Sequence, residues 1–182
     1  MNASEPNEHL DRVLIGGREK REIVIFDYDP TWPLRFQQER ERMQRVLGPT
    51  ALGIEHIGST AVPGLAAKPI IDVLVTVQDP DDESALRAAL APAGYELRVG
   101  EPGHRMFRTP QRDVHIHIWG QSDPEAERYL AFRDRLRSSS KDRAEYEQLK
   151  RALATREWSD MNEYADAKAD LIAAIIARSK TP

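Results

Sequence analysis

Two spacings of hydrophobic residues alternate along this chain and divide it into elements. Ile23-Val24-Ile25-Phe26 is a short β-prone run ended by Asp27-Tyr28-Asp29-Pro30-Thr31-Trp32-Pro33, where two prolines block continuation. From Leu34 to Leu47 the apolar positions Leu34, Phe36, Met43, Val46 and Leu47 return at helical spacing, and Gly48-Pro49 stops the run. Leu52 to Ile57 predicts a strand entering the turn Gly58-Ser59-Thr60; after Pro63-Gly64, the apolar Ile70 to Val77 predicts its neighbour. The acidic run from Asp79 to Glu83 opens a helix through Leu90, because carboxylates complement the positive end of a helix dipole. Tyr95 to Val99, Met106 to Thr109 and Asp113 to Trp119 predict three strands. The last alternates most clearly, with Asp113, His115 and His117 on one face and Val114, Ile116 and Ile118 on the other.

Beyond Ser122-Asp123-Pro124 the spacing is helical over Glu125 to Arg137, Arg143 to Thr155 and Met161 to Ser179, split by a serine run and by the Ser159-Asp160 cap. This order predicts an α+β chain, a mixed sheet flanked by helices, with a helical C-terminal part over about 124–180. Residues 1–21 lack sustained periodicity and are expected to form a flexible lead-in to a single domain over 22–180.

Composition narrows the chemistry. With 26 Lys and Arg against 30 Asp and Glu, the net charge of -4 gives no general attraction to nucleic acid, although a local basic pocket is compatible with it. There is no Cys, which excludes disulfides, thiolate metal sites and a thiol nucleophile. The N-terminus lacks the basic flank and apolar core of a secretory signal, and the longest apolar run, Ile70 to Val77, falls far short of the roughly 20 residues a spanning helix needs. The expectation is a soluble, cytoplasmic protein.

The segment Glu55-His56-Ile57-Gly58-Ser59-Thr60-Ala61-Val62-Pro63-Gly64-Leu65-Ala66-Ala67-Lys68-Pro69-Ile70-Ile71-Asp72-Val73-Leu74-Val75 carries the most chemistry. A Gly-Ser turn leaving a strand presents backbone N–H groups and a hydroxyl suited to phosphate. Asp72 lies within an apolar strand, where an unpartnered charge is costly, so a cation, a donor or solvent belongs beside it. Two readings fit: a metal-bound phosphate held between Gly58-Ser59 and Asp72, or an ordinary turn with Asp72 as a structural acceptor. The His115-x-His117 pair places both rings on one side of a strand, about 6.5 to 7 Å apart along the backbone, which suits either a shared metal or hydrogen-bonded cleft residues. Lys68 is a point charge for phosphate, but its surroundings lack the length and hydroxyl of a Walker A loop. Arg105, Arg108, Arg133, Arg135 and Arg137 are expected mostly on a solvated face, with one Arg near the cleft able to bind phosphate. No nucleophile elbow, dinucleotide fingerprint or metalloprotease helix motif is present.

The string EHIGSTAVPGLAAKPIIDVLV, preceded by DYDPTWPLRFQQER and followed by DVHIHI and YLAFRDRLR, resembles the GrpB-like (UPF0157) family over roughly residues 23–178. The resemblance implies a nucleotidyltransferase-like fold. In that superfold a Gly-Ser turn is followed by two acids one residue apart on the next strand and a third acid on a later strand. It places Gly58, Ser59 and Thr60 in the phosphate loop and Asp72 at the first metal-ligand position. The chain departs from the pattern at Leu74, where the second acid would stand, and two-metal nucleotidyl transfer relies on closely spaced carboxylates. The His115/His117 pair matches the family's usual pattern on the later strand, and imidazole suits Mn²⁺ or Zn²⁺ better than Mg²⁺. Tyr164 and Lys168, at i and i+4, are expected to cap the cleft and contact a nucleotide, or else to form a surface pair.

The resemblance therefore implies a metal-dependent nucleotidyl or phosphoryl transferase acting on a nucleotide or other phosphate-bearing small molecule with Mg, Mn or Zn. The alternative is a non-catalytic nucleotide- or CoA-related binding domain, since relatives of this kind also occur fused to dephospho-CoA kinase. A third is a metal-binding protein with little nucleotide affinity.

Overall fold

A computed structural model describes residues 12–179. Helix α1 spans Trp32–Leu47, with Pro33 in its first turn, and buries Trp32, Met43 and Leu47 with Phe36 packed beside them. Strand β1 (Gly53–Ile57) leads through a short 3-10 turn over Ser59–Ala61 to β2 (Ile71–Val77). Helix α2 (Glu83–Leu90) is capped by Asp82, whose carboxylate accepts from Ala85 N at 3.0 Å. Strands β3 (Glu96–Glu101), β4 (His104–Arg108) and β5 (Val114–Gly120) follow. The chain then runs through α3 (Pro124–Ser138), α4 (Ser140–Ala154), α5 (Met161–Asp166) and α6 (Ala169–Ser179).

The strands form one sheet in the order β1-β2-β5-β4-β3, parallel only between β2 and β5. Period-two alternation separates its faces. Val73, Val75, Val77, Ile116 and Ile118 face α1 and α2 in the main core. Leu74 lies on the opposite face, where it packs with Ile57 and with Ala126 of α3. Asp72 and His115 are register partners there, as are Leu74 and His117. A second cluster fastens the helical part to the loop after the turn, joining Val62 and Leu65 to Leu136, Tyr146 and Ile175.

Three expectations are corrected. The segment Ile23–Phe26 is not a strand; Phe26 makes an isolated bridge with Ala67, whose loop between Pro63 and Pro69 offers no strand to propagate the ladder. The helix expected over Met161 to Ser179 is two, parted at Ala167–Lys168. Contacts also begin before Ile23. Leu14 bridges Val99, and Glu19 pairs with Arg108 at 2.7 Å, a docking that local periodicity does not reveal because both partners lie some 85 residues away. The remainder of the expected lead-in, residues 1–11, lies outside the described residues.

Among the described residues no helix is long and apolar enough to cross a membrane.

Candidate functional site

The turn after β1 is built around one glycine. Gly58 has φ 70 and ψ -174, a region essentially confined to glycine. A Cβ at this position would overlap Asp72 Oδ2 and lie 3.1 Å from Asp72 Cβ and Cγ. The missing side chain therefore lets the carboxylate of β2 lie directly against the turn.

His56 supports the turn from the core side. Its ring stacks on Phe36 at 4.5 Å, and burial pushes its pKa down to about 4, so the ring is neutral at pH 7. Thr60 Oγ1 donates to Ile70 O at 2.9 Å and so accepts from His56 Nε2, 3.1 Å away. Thr60 lines the cleft, but its hydroxyl is committed to these partners and supports the loop.

The alternation puts His115 and His117 on one face of β5, and the parallel register with β2 brings Asp72 to them. His115 Nδ1 lies 3.4 Å and His117 Nε2 3.8 Å from Asp72 Oδ1. One ligand atom from each residue fits within a 4.8 Å span, a separation suited to a single first-row cation with bonds near 2.1 Å. Burial opposes the Asp72 charge, but hydrogen bonds and charge from His115 and His117 hold its carboxyl well below the usual carboxylate range. Asp113 is not part of this group; it pairs with Arg35 at 3.0 Å and accepts from Thr109 Oγ1. Leu74, at the position of the second acid, is only 1% exposed. With α3 packed over it, no carboxylate stands there.

Lysines line the same cleft. Lys68 and Lys168 lie 5.1 and 4.0 Å from the centre of the Tyr164 ring, which places Tyr164, Lys168 and Lys68 in one cluster. Lys150, which sequence reasoning missed, donates to Ser59 Oγ at 3.0 Å and to the Ala66 carbonyl. Burial, then the charge of Lys168, pushes Lys150 down to about 7; burial, then the charge of Lys68, does the same to Lys168. Burial also lowers Lys68. Asp72, His115 and the three lysines line one cleft of about 560 Å3, a size suited to a small ligand.

These lysines predict a pH dependence. A bound anion favours their charged forms, so affinity for sulfate, whose own charge is constant here, should fall as pH rises through 7. The expected loss is ~10-fold per pH unit for each lysine whose charge the anion needs. Calorimetry at pH 6.5 and 8.5 measures this, with proton uptake at the higher pH; equal affinity would contradict it. Stability without ligand runs the opposite way. Between about pH 7 and the ordinary lysine range the unfolded chain binds more protons, so these groups make stability rise with pH.

The arginines expected on a solvated face are largely engaged. Arg133 is buried and donates to Glu55 Oε2 at 2.8 Å and to the His56 carbonyl. Arg135 pairs with buried Asp142, Arg137 donates to Ala61 O, and Arg105 and Arg108 pair with acids. The helical part is therefore fastened to β1 and the turn by guanidinium groups that spacing alone assigns to solvent.

A family model described as GrpB protein matches residues 22–178. A UPF0157 protein of Streptomyces coelicolor is 51% identical, covering 91% of this chain and 89% of its own. A crystal structure of the conserved protein GrpB from Enterococcus faecalis aligns with a TM-score of 0.77 at 34% identity, covering 86% of this chain and 96% of that one. The GLD-2/RNP-8 complex aligns with a TM-score of 0.54 at 14% identity over 82% of this chain and 59% of that one, a likeness of fold alone. The sheet and its flanking helices thus have a nucleotidyltransferase-like fold. A dephospho-CoA kinase of Mycolicibacterium paratuberculosis is 29% identical over 77% of this chain and 42% of its own length.

Proposed function

The chain belongs to the GrpB family, and from that premise and the donors of its cleft we propose that it binds a nucleoside triphosphate together with one divalent cation. The observation that carries this reading is the meeting of two groups in one cleft: Asp72 and His115, backed by His117 and lying against the Gly58-Ser59 turn, and the lysines Lys68, Lys150 and Lys168. The first group supplies cation ligands and the second supplies charge for phosphates. Two imidazoles and one carboxylate suit Mn²⁺ or Zn²⁺ better than Mg²⁺, which favours oxygen ligands. A cation held there would act as a Lewis acid toward phosphate oxygens.

The chain's own residues hold and orient. Gly58 lets the backbone approach a phosphate, Lys150 fixes the Ser59 hydroxyl, and Lys68 and Lys168 balance the charge of a leaving pyrophosphate. Tyr164, beneath both lysines, is pushed up to about 12 by burial and remains a neutral phenol. The reaction class this supports is nucleotidyl or phosphoryl transfer.

A second reading has its own support in Leu74, whose burial removes the second carboxylate of two-metal transfer, and in the similarity to a dephospho-CoA kinase. On that reading the cleft binds a nucleotide or a CoA precursor without turnover. One titration separates the two. Mn²⁺ is added alone, with ATP and with dephospho-CoA, free Mn²⁺ is followed by electron paramagnetic resonance, ligand binding by calorimetry, and pyrophosphate is measured with small acceptors. The transferase reading expects one Mn²⁺ per chain, tighter ATP binding with Mn²⁺, and pyrophosphate release. Binding without pyrophosphate supports the accessory reading. If neither ATP nor a CoA precursor binds, both are wrong.

A further inference from the structure

A second cavity, of about 520 Å3, adjoins the cleft at His115, one of the three candidate cation ligands. The two hollows share Lys68, Ile70 and His115 as a common wall. Their chemistry differs. The first is lined by buried lysines. The second has an apolar floor that includes Val24, Phe26 and Met106, with Arg21 at its rim.

Phe26 is the informative residue. It is 51% exposed, one of only a few large apolar side chains so placed among the described residues. Yet it is not loosely held. Its N–H donates to Ala67 O at 2.9 Å and its carbonyl accepts from Ala67 N at 2.8 Å, which ties it to the residue preceding Lys68. An exposed aromatic on a backbone fixed by two hydrogen bonds is a ready stacking surface, because little freedom is lost when a ring covers it. Val24, 44% exposed, extends the same apolar floor.

The charged groups limit what the cavity takes. Arg98 is committed to the carbonyls of Ile15 and Gly17, while Arg108 and Arg112 share Glu19. Arg21 has no carboxylate within ion-pair distance among the described residues. Glu22 and Asp113 also line the cavity, Asp113 paired with Arg35, so Arg21, Lys68, Arg98, Arg108 and Arg112 stand against Glu19, Glu22 and Asp113, and the balance favours an anionic group over a cationic one.

We propose that this second cavity is the acceptor subsite, taking a small molecule with a flat ring to lie on Phe26, an anionic group for Arg21 and a hydroxyl directed toward His115. The proposal rests on the nucleotide reading of the neighbouring cleft. In the transfer it implies, the acceptor hydroxyl oxygen bonds to the α-phosphorus of the nucleoside triphosphate. The bond from that phosphorus to pyrophosphate breaks, pyrophosphate leaves toward the lysines, and the hydroxyl proton passes to solvent. An aromatic hydroxy acid and a nucleoside monophosphate both carry this chemistry.

The test uses the full chain saturated with Mn²⁺ and tripolyphosphate, so that the lysine cleft is filled. 4-Hydroxybenzoate and uridine 3'-monophosphate are then titrated separately by calorimetry against the wild type, Phe26→Ala and Phe26→Tyr. At least one probe should bind one to one, and the probe that binds identifies the source. Phe26→Ala should weaken it about 10-fold, Phe26→Tyr should retain it, and tripolyphosphate affinity should be equal in all three proteins. Failure of both probes, displacement of tripolyphosphate by a probe, or indifference to Phe26→Ala would overturn the proposal. Failure of tripolyphosphate to bind the wild type counts instead against the cleft reading, and the probes then judge the second cavity alone.

Discussion

Asp72→Asn should weaken Mn²⁺ binding by ~100-fold or more while leaving the fold in place, since it removes the sole carboxylate among the three candidate ligands and keeps the side chain's shape. The two imidazoles remain, but neutral nitrogen donors alone do not offset the desolvation of a dication. ATP affinity measured with Mn²⁺ should fall in parallel, whereas sulfate affinity at pH 6.5, which reads the lysines, should hold, because loss of Asp72 removes its repulsion of the anion and also its support of the charges on Lys68 and Lys168. Circular dichroism checks the fold and calorimetry the ligands. Unchanged Mn²⁺ affinity in Asp72→Asn would remove the cation from the proposed site. Loss of sulfate binding as well would mean that the substitution had disturbed the turn and had not merely removed a ligand.

Gly58→Ala is expected to be the most damaging single-methyl change in the turn. Two costs coincide: an L-residue is forced to φ 70 and ψ -174, and the added Cβ overlaps the Asp72 carboxylate. Backbone strain in that region costs of order 1–3 kcal/mol, and the clash adds to it because Asp72 is held by β2 on one side and by two imidazoles on the other. A total of about 3 kcal/mol lowers the melting temperature by roughly 6–12 °C for a chain of this size, and Mn²⁺ binding should be lost with it. Gly64→Ala is the matched control. Gly64 also has positive φ, 77, but nothing lies within 4 Å of an added Cβ, so it should show strain alone and keep Mn²⁺ affinity. Equal losses in the two variants would show that the contact with Asp72 contributes nothing.

Much of this site is legible in sequence because its determinants are local. Gly58 and Ser59 end a strand, Asp72 interrupts an apolar run, and His115-x-His117 alternates with Val114, Ile116 and Ile118. Strand geometry then puts the two histidines on one face. The parallel register of β2 with β5 sets Asp72 opposite His115.

Lys150 was hidden for a different reason. Buried positions of α4 recur at Asp142, Tyr146, Lys150 and Leu153, so two of the four members of the inward stripe are charged. Hydrophobic periodicity treats such residues as outward-facing. The signal available was the i, i+4 spacing of Tyr146, Lys150 and Ala154, which puts Lys150 above an aromatic on one face. Arg133 misled in the same way: its guanidinium is buried because Glu55 and the His56 carbonyl, some 77 residues earlier, accept its hydrogen bonds.

The order of elements from α1 to α4, the glycine turn and the faces of β2 and β5 follow from the sequence by itself, because backbone sterics and the two-residue period act between near neighbours. Tertiary structure alone decided that α4 brings Lys150 to Ser59, that α3 seals Leu74, that the C-terminal helix breaks at Ala167–Lys168, and that Phe26 stands beside a second hollow. Each of these depends on which partner lies across the chain. Whether burial of a charged or aromatic side chain is affordable is set by that partner and not by the residues on either side of it.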